Sequence, residues 1–163
     1  MIMKFLSIGV TLTAAIVVTL FTASTIDTVS IAGLAQNASN SSSPLTRLTD
    51  GGSLTIKLEP SPIPIKSNQQ TQLKVSFFKP NTEEIQPHID YDMIISEVST
   101  NKTIFQASNQ TGQAGIPLHT AESVVTIPFT FPTKGEYTIE ILVYGILFNP
   151  IAPESVTYTT HVE

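Results

Sequence analysis

The sequence predicts an all-β protein, a seven-stranded antiparallel sandwich that follows a hydrophobic export segment. Two observations carry the prediction. From Ser53 onward apolar and polar residues alternate with period two in short runs, and Pro, Gly, Asn and Thr clusters separate those runs without any stretch of helical period. Composition agrees with a folded unit: of 163 residues, 41% are hydrophobic and 13% charged, enough for one domain with its own core once the N-terminus is set aside.

The elements follow in chain order. Met1 to Lys4 supplies one positive charge, and Phe5 to Ala23 runs without a charge through Leu, Ile, Val, Thr and Ala. A signal-peptide core takes about 7–15 apolar residues and a bilayer span about 18 or more, so residues 1–35 read as a signal peptide or an N-terminal membrane anchor. Gly33-Leu34-Ala35 offers small residues ahead of a cleavage point after Ala35. Either way the remainder is expected outside the cell or at its surface, and any contact with membrane runs through this segment alone. Residues 36–52, "QNASNSSSPLTRLTDGG", are polar and aperiodic and cannot bury enough surface to offset chain ordering, which predicts a disordered tether. The sandwich domain then occupies 53–163. Asn37, Asn40, Asn101 and Asn109 each open an N-x-S/T sequon, suited to glycosylation of an exported surface.

The first strand alternates Leu54, Ile56 and Leu58 with Thr55, Lys57 and Glu59; the second alternates Leu73, Val75 and Phe77 with Gln72, Lys74 and Ser76. Five more follow at 89–98, 102–107, 123–131, 136–144 and 155–162. Between the first two, Pro60, Pro62 and Pro64 recur at every second residue, putting their missing N–H groups on one side and predicting an edge strand. In "TKGEYTIEILVYG" a tyrosine, Tyr137, enters the sixth strand just after a glycine turn, the position of an immunoglobulin tyrosine corner, and Ile139 stands where such a domain carries its second cysteine. Seven short strands and this tyrosine predict immunoglobulin-like connections, although the cysteine pair and the core tryptophan of antibody domains are both missing.

The runs "QPHIDYDMIIS", "FQASNQTGQ", "PLHTAESVVTIPFTF" and "GEYTIEILVYGILFNPIAPESVTY", within residues 86–158, resemble a group of secreted single-domain β-sandwich proteins of ammonia-oxidising archaea. That resemblance implies an extracellular immunoglobulin-like sandwich and carries no established activity with it. A more distant architectural likeness is to small copper-carrying β-sandwiches of the bacterial periplasm, which hold metal through His and Asp at strand ends.

Charge and residue inventory narrow the function classes. Net charge is −5 with lysines scattered singly, which argues against a nucleic-acid partner. With no cysteine, thiolate zinc sites, cysteine nucleophiles and blue-copper centres are excluded. No Gly-x-Ser-x-Gly elbow or phosphate-binding glycine loop occurs, and the adjacent Glu83-Glu84 pair sits in a turn where neighbours point apart, so the chain reads as a non-catalytic binding or cell-surface module.

Two stretches stand out as candidate sites. In "HIDYD", Ile89, Tyr91 and Met93 are expected to face the core, which leaves His88, Asp90 and Asp92 in a row on the outer face. Imidazole suits copper or zinc, and a loop carrying His119 can rejoin the sandwich beside His88, so His88, Asp90 and His119 form a candidate transition-metal set. Asp90 and Asp92 with backbone carbonyls are the corresponding calcium set. An ordinary solvated strand face is the plain alternative. The second stretch, "VYGILFNPIAPESV", continues apolar past the sixth strand; Tyr144, Ile146, Phe148 and Ile151 are candidates for binding an extracellular or cell-envelope protein, against a hairpin that folds back to cap the sandwich.

Overall fold

The structure is a computed structural model that describes residues 45–112 and 115–163. The export segment 1–35, the tether up to residue 44 and the sequons at Asn37 and Asn40 lie outside the described residues. Among the described residues no helix is long and apolar enough to cross a membrane.

The chain is all-β. Among the described residues nine strands are formed: β1 (Leu45–Leu48), β2 (Thr55–Ser61), β3 (Gln70–Phe78), β4 (Ile89–Glu97), β5 (Lys102–Gln106), β6 (Leu118–Thr120), β7 (Val124–Thr130), β8 (Gly135–Ile146) and β9 (Asn149–Val162), with one short 3₁₀ turn at Ala107–Thr111. They make two antiparallel sheets, one ordered β1-β2-β3-β7 and the other β5-β4-β8-β9 with β6 added against the start of β4.

Period-two alternation builds the core because successive side chains point to opposite faces. Leu54 just before β2, Ile56 and Leu58 of the first sheet, and Met93, Ile95, Ile139 and Ile141 of the second are fully buried in one cluster. The sheets meet through rings as well as aliphatic chains: Phe77 on β3 lies 5.5 Å from Tyr91 on β4, and Phe105 on β5 lies 5.1 Å from Phe129 on β7. The Tyr158 hydroxyl on β9 donates to the Ile56 carbonyl on β2 at 2.8 Å, a buried polar group satisfied across the core.

Three expectations are corrected. Residues 45–52 are not disordered: β1 pairs with β2 in register Leu45↔Leu58 to Leu48↔Thr55, and Leu45 packs against the core. Tertiary hydrogen bonds hold that segment where its own composition cannot. The Arg47 guanidinium donates to the Thr157 carbonyl at 2.6 Å, and Asp50 N donates to the Ser155 carbonyl at 2.9 Å. The described residues therefore form nine strands where seven were expected, with β6 the other addition, its three residues being too short to show a period. Nor do Pro60, Pro62 and Pro64 mark an edge strand, since β2 lies between β1 and β3. Only Pro60 of the three belongs to β2, beyond the residues that β1 reaches. The prolines that do mark outer strands are Pro128 in β7 and Pro150 and Pro153 in β9, where a missing N–H interrupts no ladder on the open side.

The end of the second sheet holds the residues of interest. A bulge sits between Asp90 and Tyr91 on β4 opposite Val143 to Gly145 on β8, and the β8–β9 ladder is irregular at the same place. β8 and β9 are joined by the two-residue turn Leu147-Phe148, with Ile146 paired to Asn149. Both turn residues have positive φ, 51° and 63°. This is the backbone of a primed hairpin turn, which normally selects Asn-Gly because a Cβ in the left-handed region costs roughly 1–2 kcal/mol per residue.

Candidate functional site

The site is assembled from three chain segments that meet at this bulged end. Asp90 on β4 is flanked by His119 on β6 and by Gly145 on β8, its register partners on either side. Gly145 is needed there, because a methyl group in place of its hydrogen would run into the Asp90 carboxylate. His88, one residue before β4, takes the left-handed conformation (φ 56°) and is pinned through its backbone: its N–H donates to the Ala121 carbonyl at 3.3 Å, and its carbonyl accepts from Leu147 N at 2.8 Å. The turn residue Phe148 then lies over both imidazoles, with ring centroids 4.2 Å from His88 and 5.5 Å from His119.

The side chains form a chain of contacts. His119 Nδ1 is 2.7 Å from Asp90 Oδ1, and His119 Nε2 is 3.4 Å from His88 Nδ1. An ionised Asp90 accepts only, so the proton of a neutral His119 resides on Nδ1 and the lone pair of Nε2 is directed at His88. The structure thus brings His88, Asp90 and His119 together, but in a different arrangement from three ligands around one point. Asp90 occupies the far nitrogen of His119 and orients it from behind. Among the described residues no group of three or more His, Asp or Glu side chains is arranged to hold a metal ion.

The spacing of the two imidazole nitrogens is informative. At 3.4 Å the nitrogens are farther apart than a good hydrogen bond, about 2.7–3.2 Å. Two nitrogens bound to one tetrahedral zinc at about 2.0–2.1 Å stand about 3.3–3.4 Å apart. Adjacent positions of a square-planar copper site would bring them to about 2.8–2.9 Å. The carboxylate on the opposite ring nitrogen is the usual companion of a metal-binding histidine, because it fixes the tautomer and raises the basicity of the ligating atom. His119 and Asp90 are open to solvent, with side chains 40% and 37% exposed, so an ion can reach the pair.

Asp92 lies on the same face of β4 but, unlike what was expected, it is not open beside the others. It is 2% exposed and fully engaged: Oδ1 accepts from Met93 N (2.8 Å) and Ser108 N (2.9 Å), and Oδ2 from Ser108 Oγ and Gln106 Nε2, both at 2.7 Å. The 3₁₀ turn after β5 covers it. Four donors leave it no role as the second half of a calcium site with Asp90. Its function is structural, anchoring that turn to β4.

The apolar hairpin residues divide. Ile146 and Ile151 are half-buried against the core and Tyr144, the extra residue of the bulge, is half-buried, so the hairpin largely folds back on the sandwich. Phe148 and Leu147 remain outside it, 69% and 48% exposed. Of the sequons, Asn101 in the β4–β5 turn and Asn109 in the 3₁₀ turn are both on the surface. A shallow cleft of about 560 Å³, lined by residues of the β1 segment and by Asn81, Thr82 and Glu83, shares no residue with the histidine pair.

Sequence reasoning missed Phe148 as part of the histidine site, Gly145 as the space for Asp90, and the orienting rather than ligating position of Asp90. A Gly in an alternating strand was the available signal for a close approach. In comparison with known proteins, no family model matches the chain and no curated protein matches it.

Proposed function

We propose that this domain is an exported zinc-binding β-sandwich module, non-catalytic, displayed at or beyond the cell surface by its N-terminal segment. One observation carries the reading: the 3.4 Å separation of His88 Nδ1 and His119 Nε2, with Asp90 on the far nitrogen of His119. That spacing favours zinc over square-planar copper, and the hard-cation alternative loses Asp92 to the 3₁₀ turn. Export rests on the charge-free run of residues 5–23, and kinship with the secreted archaeal sandwich proteins on the motifs quoted above.

The immunoglobulin-like part of the reading has its own support. β2-β3-β7 and β5-β4-β8-β9 follow the order of an immunoglobulin A-B-E sheet and its C′-C-F-G sheet. The Tyr137 hydroxyl donates to the Thr133 carbonyl at 2.9 Å, four residues upstream, the hydrogen bond that defines a tyrosine corner.

Calorimetric titration of the purified protein with zinc, copper and calcium chlorides tests the function. Zinc should bind, with a loss of binding in both His88→Asn and His119→Ala, while calcium gives no heat. Zinc binding that survives both substitutions, or no zinc binding at all, would remove the histidine pair as a metal site.

A further inference from the structure

We infer that the zinc site is completed by a second copy of this chain, so that one ion held by His88 and His119 of each copy joins a twofold-symmetric dimer. The inference rests on the metal reading above and says where the missing ligands come from. A structural zinc site takes four protein ligands in a tetrahedron, and one chain presents two at tetrahedral spacing. A twofold axis through the ion generates the other two from the same residues, which is the self-complementary geometry of the commonest homodimers.

Charge fits two copies. Each chain brings one Asp90 carboxylate, hydrogen-bonded to a ligating ring, and no Lys or Arg side chain among the described residues contacts it. Two such carboxylates and one dication sum to zero, whereas one chain alone leaves the ion's second charge unmatched. Without metal the same two carboxylates, on chains that each carry net charge −5, repel. Association is therefore coupled to the ion.

The rim fits as well. Phe148 lies against both imidazoles, yet most of its surface is exposed, and Leu147 beside it is nearly half exposed. These two bulky residues occupy turn positions where Asn-Gly would be less strained. An axis through the ion brings the Leu147-Phe148 tip of one copy alongside that of the other, covering apolar surface at the edge of the site. The occupant is thus a protein surface with a matching apolar tip and two free imidazole nitrogens, and a second copy supplies all of these.

The test is sedimentation equilibrium of the full chain in density-matched detergent, with EDTA or with zinc chloride, combined with metal analysis of the sedimenting species. The expected result is a monomer in EDTA and a dimer with one zinc per two chains in zinc chloride. His119→Ala, on an exposed side chain, and His88→Asn, which tolerates positive φ, should both stay monomeric in zinc while still unfolding in one cooperative transition. Phe148→Ala should bind zinc yet require at least several-fold more protein to dimerise. One zinc per chain with the mass unchanged would overturn the dimer and leave the metal reading standing. Absence of bound zinc would overturn both. A dimer that persists in EDTA would overturn the metal link.

Discussion

At the scale of single residues, the site depends on where one proton sits. In the proposed zinc site an ionised Asp90 accepts the Nδ1 proton of His119, which makes Nε2 the ligating atom. Asp90→Asn keeps a carbonyl acceptor but removes the charge, and zinc affinity measured by calorimetry should fall about 10–100-fold without loss of fold. Gly145→Ala should weaken binding too, because the added methyl displaces the same carboxylate. Asp92 is the contrasting carboxylate: Asp92→Ala strands the donors of Ser108 and Gln106 and should cost about 2–3 kcal/mol in chemical denaturation, with zinc binding retained in the surviving folded protein. Ser123 points the other way. It is buried at φ 57° and its hydroxyl has no hydrogen-bond partner among the described residues, so Ser123→Gly should stabilise the fold by about 0.5–1 kcal/mol.

At the scale of elements, the β8–β9 hairpin trades turn stability for an aromatic tip. Replacing Leu147-Phe148 with Asn-Gly should raise the unfolding midpoint, worth about 1 kcal/mol after the lost ring contacts are counted, because both positions then suit positive φ. An unchanged or lower midpoint would mean that packing of Phe148 on the two imidazoles outweighs the backbone strain. The β1 segment is a second case in which an element is held from outside itself. Its strand is four residues long and mostly exposed, and what keeps it is β2 on one side and the Arg47 and Asp50 contacts to β9 on the other.

At the scale of the whole molecule, the β1–β2 turn is fastened to β9 by carboxylates, and this makes stability depend on pH. Glu154 accepts from Ser53 N, Ser53 Oγ and Thr49 Oγ1, and Asp50 accepts from Ser155 N at 2.7 Å. Burial works to raise the Glu154 pKa, but the Ser53 and Thr49 hydrogen bonds outweigh it and hold the carboxyl below its ordinary 4.5. The Ser155 N–H likewise lowers Asp50 from 3.8. A depressed folded pKa means that the stabilisation is complete above the unfolded value and is lost as pH falls through the folded one. The unfolding midpoint should therefore drop as pH falls below about 4.5, and Glu154→Gln should show a shallower drop. Identical acid profiles for the two proteins would assign the acid sensitivity elsewhere.

Much of this molecule is written in local pattern. Alternation of Leu54, Ile56 and Leu58, of Leu73, Val75 and Phe77, and of Ile89, Tyr91 and Met93 determined the strands and their buried faces, because side-chain direction along a strand has a fixed period that needs no partner to define it. The nearness of His88 and His119 was legible as a consequence of a loop returning to the sheet. What lay beyond the sequence were matters of which atoms face which. The same alternation puts Asp90 and Asp92 on one face, yet tertiary structure leaves the first open beside an imidazole and closes the second under a 3₁₀ turn, because the cover on a strand comes from elements distant along the chain. It likewise ordered residues 45–52, whose polar composition promises little burial, by giving them a neighbouring ladder and cross-sheet acceptors. The sequence by itself determined the periodicity and the inventory of polar side chains; the pairing of distant strands decided which of those side chains meet.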